Sequence, residues 1–189
     1  DVPRPVLALR AIAGGVVQPA FDWAGELAGR IGTVLHAELH RICRGELGIE
    51  QSRLPARKEI WRQELLAAGV ASAAVPEAVA RVGNALATMQ NDPLGRRLLS
   101  RDWSEQGSEF ALSGVIEGRL VSVRIDRTFV DADGCRWIVD WKSSRHEGGE
   151  LDSFLQNEMS RHASQLRLYA ELLREIDGRP QRIGLYFPA

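Results

Sequence analysis

Two short stretches, Arg124-Ile125-Asp126 and Val139-Asp140-Trp141-Lys142, hold two carboxylates and a primary amine close enough in sequence to meet on paired strands. Asp131-Ala132-Asp133-Gly134 separates them. If Ala132-Asp133-Gly134 forms a three-residue hairpin loop, with Gly134 as its left-handed residue, Asp131 pairs with Cys135. Counting back along both strands puts Asp126 opposite Asp140 and Arg124 opposite Lys142, with Phe129 meeting Trp137 and Ile125 meeting Trp141 on the other face. Directly opposed side chains have Cβ atoms about 4.5–5.5 Å apart. Two carboxylates at that separation repel unless one is protonated or a cation lies between them. Hard oxygen donors suit Mg²⁺, with Mn²⁺ as a substitute. Lys142, on the face of Asp140, could orient a water or neutralise charge developing on a phosphate. Acid, acid and lysine around a metal is a constellation for phosphodiester hydrolysis. The competing view is a surface hairpin with solvated charges. Against it, Asp140 is embedded in Trp137-Ile138-Val139-Asp140-Trp141, and a buried acid needs a partner.

Other polar residues are less specific alone. His36 and His40 are one helical turn apart, and His36 follows Gly32, which would let its helix approach another backbone. By itself His36 reads as a structural histidine, and His40 carries no assignment. Gln165 and Tyr169 share one face of a later helix and could point at substrate or be an ordinary flank. Arg161, His162 and Arg167 could meet phosphates or form a solvated face. Cys43 and Cys135 read as apolar fillers.

The elements that must carry these residues follow from periodicity. Residues 1–24, with Pro3, Pro5, Gly14, Gly15 and Pro19, read as a loop-like lead-in, and the domain layout takes 1–29 as that segment. From Arg30, apolar positions Ile31, Val34, Leu35, Leu39 and Ile42 predict a helix closed by Gly45 and Gly48. A helical insertion over 50–100 contains Pro55 to Ala68, Pro76 to Gln90 and a short piece after Pro93. Residues 105–189 form the sheet and its helix. The predicted strands are Glu109–Ile116, Arg119–Val130 and Arg136–Lys142, with Val121, Val123, Ile125 and Phe129 on one face of the second. Ser143 to about Met159 is polar and contains glycine, so it reads as a loop. A helix over His162–Ile176 and a strand over Arg182–Phe187 complete an α/β fold, a small mixed sheet flanked by helices.

The chain has 189 residues, and its 24 basic against 25 acidic side chains exclude a wholly basic surface but not a local basic patch. With 44% hydrophobic and 26% charged residues it has the composition of a folded domain. Two cysteines cannot ligate an iron–sulfur cluster or a four-thiolate zinc, and they fit a reducing compartment. No run approaches the roughly 18 apolar residues of a membrane helix, so no membrane role is expected. The start at Asp1, without a signal pattern, reads as a piece cut from a longer polypeptide. There is no Gly-Lys-Thr/Ser phosphate loop, so no motor is expected in the piece.

Taken in order, Gly32-Thr33-Val34-Leu35-His36, Arg124-Ile125-Asp126, Val139-Asp140-Trp141-Lys142-Ser143 and Gln165-Leu166-Arg167-Leu168-Tyr169 resemble the RecB-like nuclease domain of the PD-(D/E)XK superfamily. That domain ends the helicase–nuclease subunits of bacterial RecBCD and AddAB-type machines. The resemblance spans residues 32–169 and implies a restriction-endonuclease-like core and metal-dependent DNA cleavage during break processing and recombinational repair. His36, Asp126, Asp140 and the main-chain carbonyl of Trp141 match metal-ligand positions. Lys142 matches the catalytic lysine, and Gln165 and Tyr169 match a supporting motif. Glu109 aligns loosely with an acidic position on the first strand. Arg124 departs from the glycine that often precedes the Ile-Asp pair. The implied context is bacterial cytoplasm, a single DNA strand fed by a helicase region of the same polypeptide, and a second subunit. Two rivals stand beside this expectation. One is an inactive module that only binds DNA or a partner subunit, against which intact Asp126, Asp140 and Lys142 argue. The other is a stand-alone, restriction-type nuclease of the same superfamily.

Overall fold

The computed structural model describes residues 23–48, 50, 55–144 and 150–188. Most of the predicted lead-in lies outside them. Five helices and four strands follow one another: α1 (Trp23–Arg44), α2 (Pro55–Ala67), α3 (Val75–Asn91), α4 (Pro93–Leu99), β1 (Ser104–Ile116), β2 (Arg119–Val130), β3 (Arg136–Trp141), α5 (Leu151–Ile176) and β4 (Gln181–Tyr186). No described helix is long and apolar enough to cross a membrane.

The sheet order is β1-β2-β3-β4, with β1–β2 and β2–β3 antiparallel and β3–β4 parallel. A parallel pair needs a crossover, which α5 supplies. Along β3 the side chains alternate between two cores. Trp137, Val139 and Trp141 join the cluster built by α1 to α4, whereas Ile138 joins Leu166, Tyr169 and Leu173 of α5. The result is three layers, helices on both faces of a mixed sheet. It is the α/β arrangement that the alternation of helical and strand periods predicts.

The hairpin that sets the register folds as expected. Asp131 and Cys135 pair, Gly134 N donates to Asp131 O, and Gly134 has φ +75°. The Asp131 carboxylate accepts from the Asp133 and Cys135 amides, closing the loop with its own side chain. Val130↔Arg136, Phe129↔Trp137, Thr128↔Ile138 and Arg127↔Val139 follow in the predicted register.

Four expectations are corrected. First, α1 begins at Trp23, because Leu27 continues the apolar stripe of Ile31 and Leu35 upstream of Arg30. Second, β1 starts at Ser104, where polar residues with no alternation pair through a bulge between Ser104 and Gly107. Third, the segment read as a loop to Met159 is helical from Leu151. Its Leu155 and Met159 are buried and extend the stripe of Ala163 and Leu166, while residues 145–149 lie outside the description. Fourth, the single apolar face assigned to β2 does not form. Ile125 packs in the α5 cluster and Phe129 in the α1 cluster with Trp141, so Ile125 does not meet Trp141. Strict alternation would put both residues on one face. The break lies at Asp126, whose carboxylate takes the Trp141 amide at 2.8 Å.

Candidate metal centre and lysine site

The site forms where the β2–β3 ladder ends, and each polar group arrives on a different element. From α1, the helix turn that follows Gly32 brings His36 over the end of β3. A Cβ at Gly32 would lie 2.8 Å from Ser143 Oγ, so a side chain there would turn that hydroxyl aside. His36 Nε2 donates to Trp141 O at 3.0 Å, and Nδ1 lies 3.6 Å from Asp126 Oδ1. Burial alone would lower the His36 pKa. The Asp126 hydrogen bond, the charges of Asp126 and Asp140 and the Trp141 carbonyl outweigh it and raise the value.

β1 contributes a carboxylate that the family resemblance had aligned only loosely. Glu109 falls between the pairs Ser108↔Arg127 and Phe110↔Ile125, which sets it across from Asp126. Donor atoms of His36, Glu109 and Asp126 all lie within 4.8 Å of one another. Opposed ligands of a small divalent ion at about 2.0–2.2 Å each are about 4–4.4 Å apart, so this donor set has the dimensions and the oxygen–imidazole chemistry for Mg²⁺ or Mn²⁺. The signal for Glu109 was present in the sequence. The two-residue turn Glu117-Gly118, with both φ values positive, fixes the β1–β2 register that puts position 109 opposite 126.

Asp140 sits beside these three donors rather than among them. It is 2% exposed, its Oδ2 pairs with Lys142 Nζ at 2.5 Å, and its Oδ1 accepts from Gln165 Nε2 at 3.3 Å. Burial and then the charge of Asp126, opposed by Lys142, push its pKa up to about 6. Asp126 and Asp140 are therefore close enough to feel each other, but they are served from opposite sides of the sheet, by His36 of α1 and Gln165 of α5. Gln165 Nε2 also donates to Tyr169 Oη at 2.5 Å, and burial pushes the Tyr169 pKa up to about 12, so the phenol stays neutral.

The remaining polar candidates are distributed around this centre. His40 Nδ1 meets Ser108 Oγ at 3.0 Å, next to Glu109, although its sequence carried no assignment. His162 is partly buried near Lys142, and burial first, then that positive charge, lowers its pKa. Arg161 and Arg167 are exposed. Cys43 and Cys135 are buried free thiols.

The site therefore joins a small-cation donor set to a lysine held by a buried acid, on strands flanked by helices that bring His36 and Gln165. A comparison with curated proteins gave no match. The family model described as the PD-(D/E)XK nuclease superfamily matches residues 9–188, nearly the whole chain and all of these positions, and the chain belongs to that superfamily.

Proposed function

We propose that this chain is a metal-dependent DNA nuclease domain of the RecB-like kind, acting on DNA strands delivered by a helicase in a bacterial RecBCD- or AddAB-type machine. The observation that carries the nuclease reading is the convergence of His36, Glu109 and Asp126 within 4.8 Å, beside the Lys142–Asp140 ion pair. The helicase context rests on the order of the motifs from Gly32 to Tyr169. In this reading the whole chain is one domain.

His36, Glu109 and Asp126, with the Trp141 carbonyl and Asp140 adjoining, would hold Mg²⁺ or Mn²⁺. The ion when bound supplies Lewis-acid polarisation of a phosphodiester oxygen and lowers the pKa of a water. The protein's own groups do the rest. Asp126 is fixed by the Trp141 amide, so one oxygen is anchored and the other turns toward His36. Lys142 keeps an ammonium beside the carboxylates, where it orients a nucleophilic water or meets negative charge growing on the phosphate. Asp140 holds that ammonium in place, and Gln165 and Tyr169 hold Asp140. Hydrolysis joins the water oxygen to phosphorus as the bond from phosphorus to the leaving strand's oxygen breaks; the water gives up a proton and the leaving oxygen takes one up.

The test is incubation of the purified chain with labelled single- and double-stranded DNA under Mg²⁺, Mn²⁺ or EDTA. Cleavage that requires the ion and falls about 10²-fold in Lys142→Ala, with Mn²⁺ affinity kept or raised, supports the assignment. Metal and DNA binding with no cleavage, even when the chain is joined to a helicase, would select the inactive-module alternative.

A further inference from the structure

Glu158 is a buried carboxylate, 6% exposed, that the proposed chemistry does not use. It lies on α5, one turn before His162 and two before Gln165. Burying a carboxylate is unfavourable unless strong partners compensate, and its partners among the described residues are modest. Ser144 Oγ donates to Glu158 Oε2 at 2.7 Å, Arg161 Nη1 is 3.4 Å from Oε1 and largely exposed, and His162 Nε2 is 3.8 Å from Oε2.

The partner that matters is Ser144, two residues after the lysine. β3 ends at Trp141, so Lys142, Ser143 and Ser144 have left the strand. Each is nevertheless tied to a different element. Lys142 N donates to Tyr186 O of β4 at 2.9 Å, Ser143 Oγ donates to Ala28 O of α1 at 3.2 Å, and Ser144 Oγ donates to Glu158 of α5. The polar stripe of α5 runs in step with this segment: Gln165 meets Asp140, His162 lies near Lys142, and Glu158 meets Ser144. A lysine on a flexible stem at a strand's frayed end needs its backbone fixed, because about 1 Å of misplacement can cost about 10²-fold in rate.

We infer that Glu158 is a positioning residue for Lys142, acting through the Ser144 hydroxyl to hold the segment after β3 against α5. This rests on the nuclease reading for its consequence, but not for its geometry. The carboxylate itself does not touch the reacting atoms.

The full 189-residue chain tests it, with Mn²⁺ and a labelled single-stranded oligonucleotide as probes. Ser144→Ala and Glu158→Ala should each lower the single-turnover rate at saturating oligonucleotide about tenfold, with Mn²⁺ affinity and half-saturation changed less than about twofold. The double variant should fall no further than either single one, since both break the same tie. Glu158→Gln, which keeps an acceptor for the hydroxyl, should recover most of the rate. Exchange of the Lys142 amide hydrogen with solvent should accelerate in Ser144→Ala, a readout that needs no cleavage. Wild-type rates and exchange in Ser144→Ala would overturn the inference, as would a loss in Glu158→Ala that Ser144→Ala does not share. If Glu158→Ala does not fold, the serine variant and Glu158→Gln decide. If the unaltered chain never cleaves, even when joined to a helicase, the nuclease reading fails, and amide exchange alone still decides the tie.

Discussion

Glu38, at the junction of α1 and α2, and Asp140, at the end of β3, are both buried acids, 0% and 2% exposed. Around Glu38 every lone pair is served: Arg41 Nη1 at 2.8 Å, Arg57 Nε at 2.6 Å with a second bond from Arg57 Nη2, and Trp61 Nε1 at 2.9 Å. Burial alone would raise its pKa, yet the hydrogen bonds from Arg57, Trp61 and Arg41 hold it below the usual carboxyl value. Among the described residues, Asp140 has one ammonium and one amide, and a second carboxylate nearby. Its pKa goes up instead, to about 6. A buried acid with two guanidinium groups and an indole joins two helices. A buried acid short of positive charge, beside His36, Glu109 and Asp126, has the electrostatics of a place a cation would complete.

Removing each acid sharpens the contrast. Asp140→Ala should abolish Mn²⁺-dependent cleavage and sharply weaken Mn²⁺ binding by calorimetry, while the melting temperature in EDTA holds or rises because repulsion with Asp126 is relieved. Glu38→Ala should do the reverse. Leaving Arg41 and Arg57 without their shared carboxylate at a buried junction costs about 3–5 kcal/mol. A denaturant titration reads that loss, and at low temperature the fraction still folded should bind Mn²⁺ normally. If Asp140→Ala destabilises as strongly as Glu38→Ala, the two acids are the same kind of group and the distinction collapses.

A smaller effect of the same contrast is its pH dependence. A carboxyl held below its ordinary pKa contributes stability above that value and loses it as pH falls, which is the case of Glu38. A carboxyl raised from 3.8 to about 6 contributes the opposite: stability is fully present below 3.8 and declines as pH rises through about 6. In EDTA, Asp140→Asn should therefore gain on the wild-type chain as pH climbs across that interval. With Mn²⁺ present, wild-type affinity should instead increase over the same interval, because the ion binds the ionised carboxylate. A melting series with and without Mn²⁺ measures both slopes, and identical slopes for wild type and Asp140→Asn would remove Asp140 as their source.

The difference between the two regions also marks what could be read in advance. The hairpin register was legible because Asp131 and Gly134 are residues that a three-residue loop demands, and it carried Asp126 and Asp140 to the same end of the sheet. The helical stripe of α1 and the motif order carried His36 and Gln165. Three things were not legible. Face assignment in β2 failed because alternation assumes an unbroken ladder, and the Asp126 side chain takes the place of a ladder bond. The first three turns of α5 were hidden by their polar residues, although Leu155 and Met159 held the helical spacing. The Glu38 network joins residues on two helices, so no local pattern announces it.

The finest comparison is between two glutamates with the same positive φ. Glu109, in the donor set, and Glu117, at the β1–β2 turn, both have φ +49°. A residue with a Cβ in the left-handed region is disfavoured by about 1–2 kcal/mol, and glycine avoids that while adding about 0.5–1 kcal/mol of entropic cost. Glycine at either position should therefore stabilise the chain by up to about 1 kcal/mol. At Glu117 nothing else should change. At Glu109 the same gain should come with at least about tenfold weaker Mn²⁺ binding, because a donor within 4.8 Å of His36 and Asp126 is lost. The exposed Arg124 contact at 3.8 Å, lost with it, is worth little. Glu109→Gln separates the causes further: it keeps the backbone strain, so it should weaken Mn²⁺ binding without the stabilisation. Equal Mn²⁺ affinity in Glu109→Gly and Glu117→Gly would remove Glu109 from the donor set and make its strained backbone an ordinary feature of a twisted strand.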